Sequence, residues 1–163
     1  MAKKKRNDLC EEAPHFHSIQ IVMIVIYFTI FILDSLVFRF STFLINYIHF
    51  SIPIILGSSL LVLGILLIYF SSKTVFGEVR DPPKVIEEGV FRYIRHPMYL
   101  GILLIYLSVA FFSFSIICMV SCVVIFLVYN GYASYEETQL EEMFKEEYLE
   151  YKKKSSKWIP LPH

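Results

Sequence analysis

Apolar positions in this chain fall into long uncharged runs, where a soluble core would show short amphipathic patches. The first run extends from Ser18 to Leu33, meets one carboxylate at Asp34, and predicts a span reaching about Phe38 with Asp34 near the far interface. The second has no Asp, Glu, Lys or Arg from Phe40 to Ser72; Asn46, His49, Ser51 and Pro53 predict an external turn, followed by a helix from about Ile52 to Phe70. The third is free of formal charge from Pro97 to Tyr135, 39 positions. One membrane helix needs about 20 residues, so this run predicts a helical hairpin, Met98 to Phe112 and Ser115 to Tyr132. Its turn, Phe111-Phe112-Ser113-Phe114-Ser115, has neither Gly nor Pro. The expectation is an all-α membrane protein with about four transmembrane helices, a single integral membrane domain over 1–163. Two N-terminal spans occupy 1–72, and a loop, the hairpin and a tail occupy 73–163.

Composition agrees: 56% of the 163 residues are hydrophobic and 18% charged, far from the soluble balance. The formal net charge is zero, which gives no reason to expect nucleic acid. Segregation of charge is more informative. With four spans, 14 of the 15 basic residues lie on one side and Arg39 lies alone on the other. The positive-inside rule then places both termini in the cytoplasm. The first apolar segment is too long for a cleavable signal and no small-residue cleavage site follows it. Cys10, Cys118 and Cys122 form no disulfide framework, and the last two share a helix face as packing residues. His15 and His17 lack the further ligands of a metal site, so no metal is expected.

Two polar segments flank the hairpin. Between Lys73 and His96, Asp81-Pro82-Pro83 breaks a helix and Glu87-Glu88-Gly89 makes a turn; Val85, Ile86, Val90 and Phe91 give this loop apolar contacts against the bundle. After the hairpin, Leu140, Met143, Phe144, Tyr148 and Tyr151 follow a helical period within Ser134 to Tyr151, a cytoplasmic amphipathic helix with glutamates opposite. Glu136 and Glu137 stand where the last span emerges, within reach of Arg95 and His96. Lys152, Lys153 and Lys154 suit anionic lipid, and Trp158-Ile159-Pro160 suits an interfacial anchor.

The densest chemistry is Gly89-Val90-Phe91-Arg92-Tyr93-Ile94-Arg95-His96-Pro97-Met98-Tyr99-Leu100-Gly101. Cations and an imidazole beside a membrane helix are costly unless they face a cavity, partner or ligand. Interfacial anchoring by Arg92, Tyr93, Arg95 and Tyr99 is the plainer reading of the same residues.

Arg95-His96-Pro97-Met98-Tyr99, then Glu136-Glu137, Leu140, Phe144, Tyr148, Tyr151 and Ile159-Pro160, resembles the isoprenylcysteine carboxyl methyltransferase and phospholipid methyltransferase superfamily. The match covers about Lys84 to Pro160. The resemblance implies a membrane enzyme using S-adenosylmethionine without a Rossmann domain, its cofactor enclosed by the loop, the RHPxY block and the emerging glutamate. Carried over, the cofactor-binding positions are Lys84, Val85, Ile86, Phe91, His96, Pro97, Met98, Tyr99 and Glu136. Glu136 suits the cofactor's ammonium, His96 its polar groups, and aromatic rings its sulfonium. A lipophilic acceptor, an amine-bearing phospholipid or a prenylcysteine-like carboxylate, would enter from the bilayer. For a protonated amine, Glu137 is the expected base.

One departure bears on the acceptor. The carboxyl methyltransferase branch carries arginine four or five residues before the glutamate pair, whereas this chain reads Asn130-Gly131-Tyr132-Ala133-Ser134-Tyr135. That disfavours a carboxylate acceptor unless Arg92 or Arg95 replaces the missing cation. Membrane sterol reductases are similar in their hairpin and tail but use NADPH and usually show Asn where Met98 stands. A lipid-binding protein without enzymatic activity would use the whole corner as an interfacial anchor.

Overall fold

A computed structural model describes residues 15–77 and 82–160. Cys10, the basic residues Lys3 to Arg6, Arg80 and Asp81 lie outside the described residues. The elements are α1 (Phe16–Phe31), continuing as a π-helical stretch Ile32–Phe38; α2 (Ser51–Phe76); α3 (Pro97–Ser113); α4 (Ile116–Phe144); and α5 (Glu146–Lys154). Single 3₁₀ turns occupy Phe43–Tyr47 and Gly89–Arg92.

Three helical segments, Phe16–Phe38, Ser51–Phe76 and Ile116–Phe144, are long and apolar enough to cross a membrane. Their outer faces expose large apolar side chains such as Ile21, Val25, Leu36, Ile55, Val123 and Leu127, a surface suited to lipid. Among the described residues these three of the four expected spans meet the length and composition of a membrane helix. The remaining helix, α3, is apolar but has only 17 residues. Its start and stop explain its shortness. Pro97 occupies the first helical position, where its missing N–H costs no hydrogen bond, and Phe114 ends the helix in a left-handed conformation at φ 48°.

The hairpin turn falls within the predicted stretch, although a non-glycine residue takes the left-handed position, at a cost of about 1–2 kcal/mol. Compensation comes from the end of the first span. Asp34 is buried and accepts from Ser41 N at 2.9 Å, Ser41 Oγ at 2.6 Å and Ser115 Oγ at 2.5 Å. Ser115 itself caps α4, accepting from Cys118 N at 3.0 Å. An anion beside the amino end of a helix is favourably placed. The sequence put Asp34 near an interface without revealing that it closes the hairpin.

Helices α2 and α3 pack closely because glycines face each other: a Cβ on Gly64 would lie 2.7 Å from Gly101 O, and one on Gly101 2.7 Å from Gly64 O. Small residues permit such backbone approach within a bilayer, where apolar burial drives little association. Helices α1, α3 and α4 share a core containing Tyr27, Tyr106, Ala110, Cys118, Ile125 and Tyr129, and Tyr27 donates to Tyr106 O at 2.6 Å.

The largest difference from expectation is at the tail. Instead of a span ending near Tyr132 and a separate amphipathic helix, α4 runs unbroken to Phe144. The break falls at Lys145, at φ 48° and ψ −120°, and α5 then turns back against α4. Gly131 does not end the helix, since the residues after it retain helical period and bury Ala133 and Glu137.

Candidate functional site

The polar site lies where α2 ends, α3 begins and α4 leaves its apolar stretch at about Tyr132. Four segments meet there: the loop after Pro82, the corner at Arg95 and His96, the glutamate pair of α4, and α5 with the residues following it.

Side-chain bonds from α5 hold the loop. Glu147 accepts from Val85 N at 3.0 Å, and Tyr151 donates its hydroxyl to Phe91 O at 2.6 Å. Val85, Tyr148 and Tyr151 form a small second core flanked by Leu140 and Phe144. The Glu87-Glu88-Gly89 turn is present, with Gly89 at φ 59° and the position of its absent Cβ 3.2 Å from Thr74 Oγ1.

Arg95 is the hub. Its Nε donates to Glu137 Oε1 at 2.8 Å, and its Nη1 donates to the carbonyls of Lys152, at 3.3 Å, and Ser155. Backbone bonds reinforce this clasp: Arg95 N donates to Ser156 O at 2.9 Å and Ser156 N to Tyr93 O at 3.1 Å, a short parallel bridge between the corner and the tail. Lys152 Nζ lies 3.6 Å from Glu137 Oε2 and 2.6 Å from Glu141 Oε1. The tail then continues back along α4, where Trp158 donates its indole N–H to Asn130 Oδ1 at 3.1 Å and packs on Phe126 and His96. Of the expected interfacial anchor, Trp158 is half-buried against protein, whereas Ile159 and Pro160 are exposed.

His96 is 5% exposed. Its Nε2 is 3.2 Å from Glu137 Oε1 and its Nδ1 is 3.5 Å from Glu136 Oε2. Burial opposes charging the ring, but the Glu136 and Glu137 carboxylates outweigh it and raise the His96 pKa above its ordinary value. Tyr99 stacks parallel on this ring, with centroids 5.7 Å apart, and thereby fixes its plane.

An open cleft lies between these elements. Lys84, Val85, Ile86, Phe91, Arg95, His96 and Glu136 line it, as do Val75, Leu140, Phe144, Tyr148 and Tyr151. Of the residues expected from sequence, Pro97, Met98, Tyr99 and Glu137 do not line the cleft. Pro97 is fully buried at the start of α3, Met98 is half-buried, Tyr99 backs His96, and Glu137 lies buried beneath the wall with Arg95. Among the lining residues given no role from sequence, Leu140, Phe144, Tyr148 and Tyr151 had the right helical period but read as packing. Val75, at the end of α2, carried no signal.

The cleft combines one half-exposed carboxylate, Glu136, with the aromatic rings of Phe91, Phe144, Tyr148 and Tyr151. Such a set suits a ligand with a cationic amine at one end and a flat or positively charged apolar body at the other. In comparisons with known proteins, a family model described as phospholipid methyltransferase matches residues 48–147, which takes in α2, the loop, the corner, α3 and α4. No curated protein and no solved structure matches the chain.

Proposed function

We propose that this chain, which belongs to the phospholipid methyltransferase family, transfers a methyl group from S-adenosylmethionine to an amine-bearing phospholipid at the cytoplasmic face of a membrane. The observation that carries this reading is the cleft where Glu136, His96 and the aromatic rings converge, beside helices that reach the bilayer. Members of the family are generally dependent on this donor, and the residues present fit it. Glu136 pairs with its ammonium, while the rings of Phe91, Phe144, Tyr148 and Tyr151 accommodate adenine or face the sulfonium. When bound, the donor supplies an electrophilic methyl carbon for in-line attack. The protein's contribution is to position the two reactants and exclude water.

The preference for an amine acceptor comes from the cations. A carboxylate acceptor would need a basic side chain to orient it. Among the described lining residues, Lys84 is exposed and 3.6 Å from Glu88, and Arg95 is engaged by Glu137 and two carbonyls. Arg95 thus acts as a positioning residue. A protonated amine must lose a proton before attack. His96 lines the cleft and Glu137 stands behind it, so His96 in its neutral form takes the proton and Glu137 stabilises the resulting imidazolium. Glu137 is therefore a positioning residue for the ring, its carboxyl held well below its ordinary pKa by His96 and Arg95 against the opposing effect of burial. Tyr99 and Pro97 hold that ring in place, and Met98 stands at the start of α3 where the acceptor chain leaves the bilayer.

Calorimetry of the detergent-purified protein tests the donor. We expect heat with S-adenosylmethionine and S-adenosylhomocysteine and none with NADPH. Glu136→Ala and His96→Ala are each expected to weaken binding strongly, while Glu146→Ala leaves it unchanged. Absence of binding to either adenosyl compound by folded protein refutes the reading. Thin-layer analysis of membrane lipids labelled from a methyl-tritiated donor tests the acceptor, with label expected in a phospholipid headgroup.

A further inference from the structure

Tyr148, in the first turn of α5, is 1% exposed, and its hydroxyl is buried without a hydrogen-bond partner among the described residues. Folded proteins rarely leave such a group unpaired, and an orphan of this kind points to a missing ion, water or ligand. The adjacent Tyr151 contrasts with it, since its hydroxyl is satisfied by Phe91 O. Location separates Tyr148 from the other orphaned tyrosines. Tyr106 and Tyr129 sit in the helix core away from the cleft, whereas Tyr148, a member of the small second core, also lines the cleft.

Its surroundings define what the hydroxyl can meet. Burial, then the Glu137 carboxylate, push the phenol well above its ordinary pKa, so it is a neutral O–H donor. Arg95, His96 and Glu136 line the cleft together with Tyr148 and form its charged end. Other donors there are committed: both His96 nitrogens face carboxylates, Arg95 is bound to Glu137 and the tail, and Lys84 lies beside Glu88. A zwitterionic amino-acid group entering this end would find an acceptor for its ammonium in Glu136 and an uncommitted donor for its carboxylate in Tyr148.

We propose that the Tyr148 hydroxyl is a ligand of the methyl donor, donating to its α-carboxylate while Glu136 takes the ammonium. The two ends of the amino-acid group are thereby read by different elements, α5 and α4. This assignment rests on the methyltransferase reading of the cleft. It makes α5 a recognition element as well as a brace, one that discriminates the intact donor from adenosine compounds lacking the carboxylate.

The test uses the full chain in detergent and the variant Tyr148→Phe. Affinities for S-adenosylhomocysteine and for decarboxylated S-adenosylmethionine, which lacks only the carboxylate, are measured by calorimetry, and Tm is measured without ligand. A lost hydrogen bond to a charged group predicts affinity for S-adenosylhomocysteine weaker by about tenfold or more. Affinity for the decarboxylated compound should be unchanged. The ligand-free Tm should be equal or higher, because the variant removes an unsatisfied buried hydroxyl. Unchanged affinity for S-adenosylhomocysteine, equal weakening for both compounds, or a lowered ligand-free Tm would each overturn the assignment. If the wild-type chain binds neither compound, the methyltransferase reading itself fails; if it binds and Tyr148→Phe binds as tightly, only the Tyr148 assignment falls.

Discussion

Replacing Arg95 by Gln removes the guanidinium that joins corner, glutamate pair and tail. The side chains of Arg95 and Glu137 are only 11% and 10% exposed, and their contact is 2.8 Å. Breaking a buried pair from one side costs about 3–5 kcal/mol, because the partner charge stays buried. Lys152, at 3.6 Å from the other carboxylate oxygen, and His96 soften the loss, which sets the value near the lower end, about 3 kcal/mol. Release of the Lys152 and Ser155 carbonyls adds about 1 kcal/mol. For a chain of this length a total of about 4 kcal/mol corresponds to a Tm decrease on the order of 10 °C. The assay is thermal unfolding in detergent of Arg95→Gln, Glu137→Gln and the double variant. Because the double variant has no stranded carboxylate, its loss should fall well below the sum of the singles, with a coupling of about 2 kcal/mol. A decrease below about 3 °C for Arg95→Gln, or strictly additive singles, would refute this account of the clasp.

At the opposite end of the bundle, Asp34→Ala should lower stability by about 3 kcal/mol, and Ser41→Ala by about 1 kcal/mol, since three bonds to a carboxylate hold the hairpin turn; equal Tm values for both variants and wild type would contradict this. Lys145→Gly should raise stability by about 1 kcal/mol by relieving a positive φ that Gly adopts freely, and a lower Tm would count against the strain. His96 gives a pH dependence of fixed sign. Its folded pKa is raised above 6.5, so its stabilising contribution is complete below that unfolded value and is lost as pH rises through the folded one. The Tm gap between wild type and His96→Asn should therefore be widest in mildly acidic to neutral buffer and close under alkaline conditions, and a gap that widens with pH would reverse the sign.

Much of the fold was legible because lipid imposes length and composition on each helix. The 39-residue uncharged run had to fold back on itself, and Ser115 is the residue type that starts a helix. Phe114 and Lys145 were illegible as turn positions because propensity assigns left-handed backbone to Gly or Asn; tertiary bonds from Asp34 override it at Phe114. The continuation of α4 past Tyr132 was hidden by the onset of charge, which marks an exit from lipid without marking the end of a helix. In the cleft, Arg95, His96 and Glu136 were visible as chemistry out of place beside a membrane. Tyr148 and Leu140 were not, since helical period cannot tell a residue facing a core from one facing a cavity.

The bridge between the corner and the residues after α5 also fixes an order of assembly. Arg95 and Ser156 pair although 61 positions apart in sequence, and everything between them, the hairpin included, must be made before that pair can close. A chain halted after α4 would have its membrane helices in place and yet lack Tyr148, Tyr151 and the carbonyls that hold Arg95. On the proposed function, nascent or clipped forms would lack the finished cleft, and proteolysis between α4 and α5 is expected to abolish donor binding while leaving the membrane helices in place.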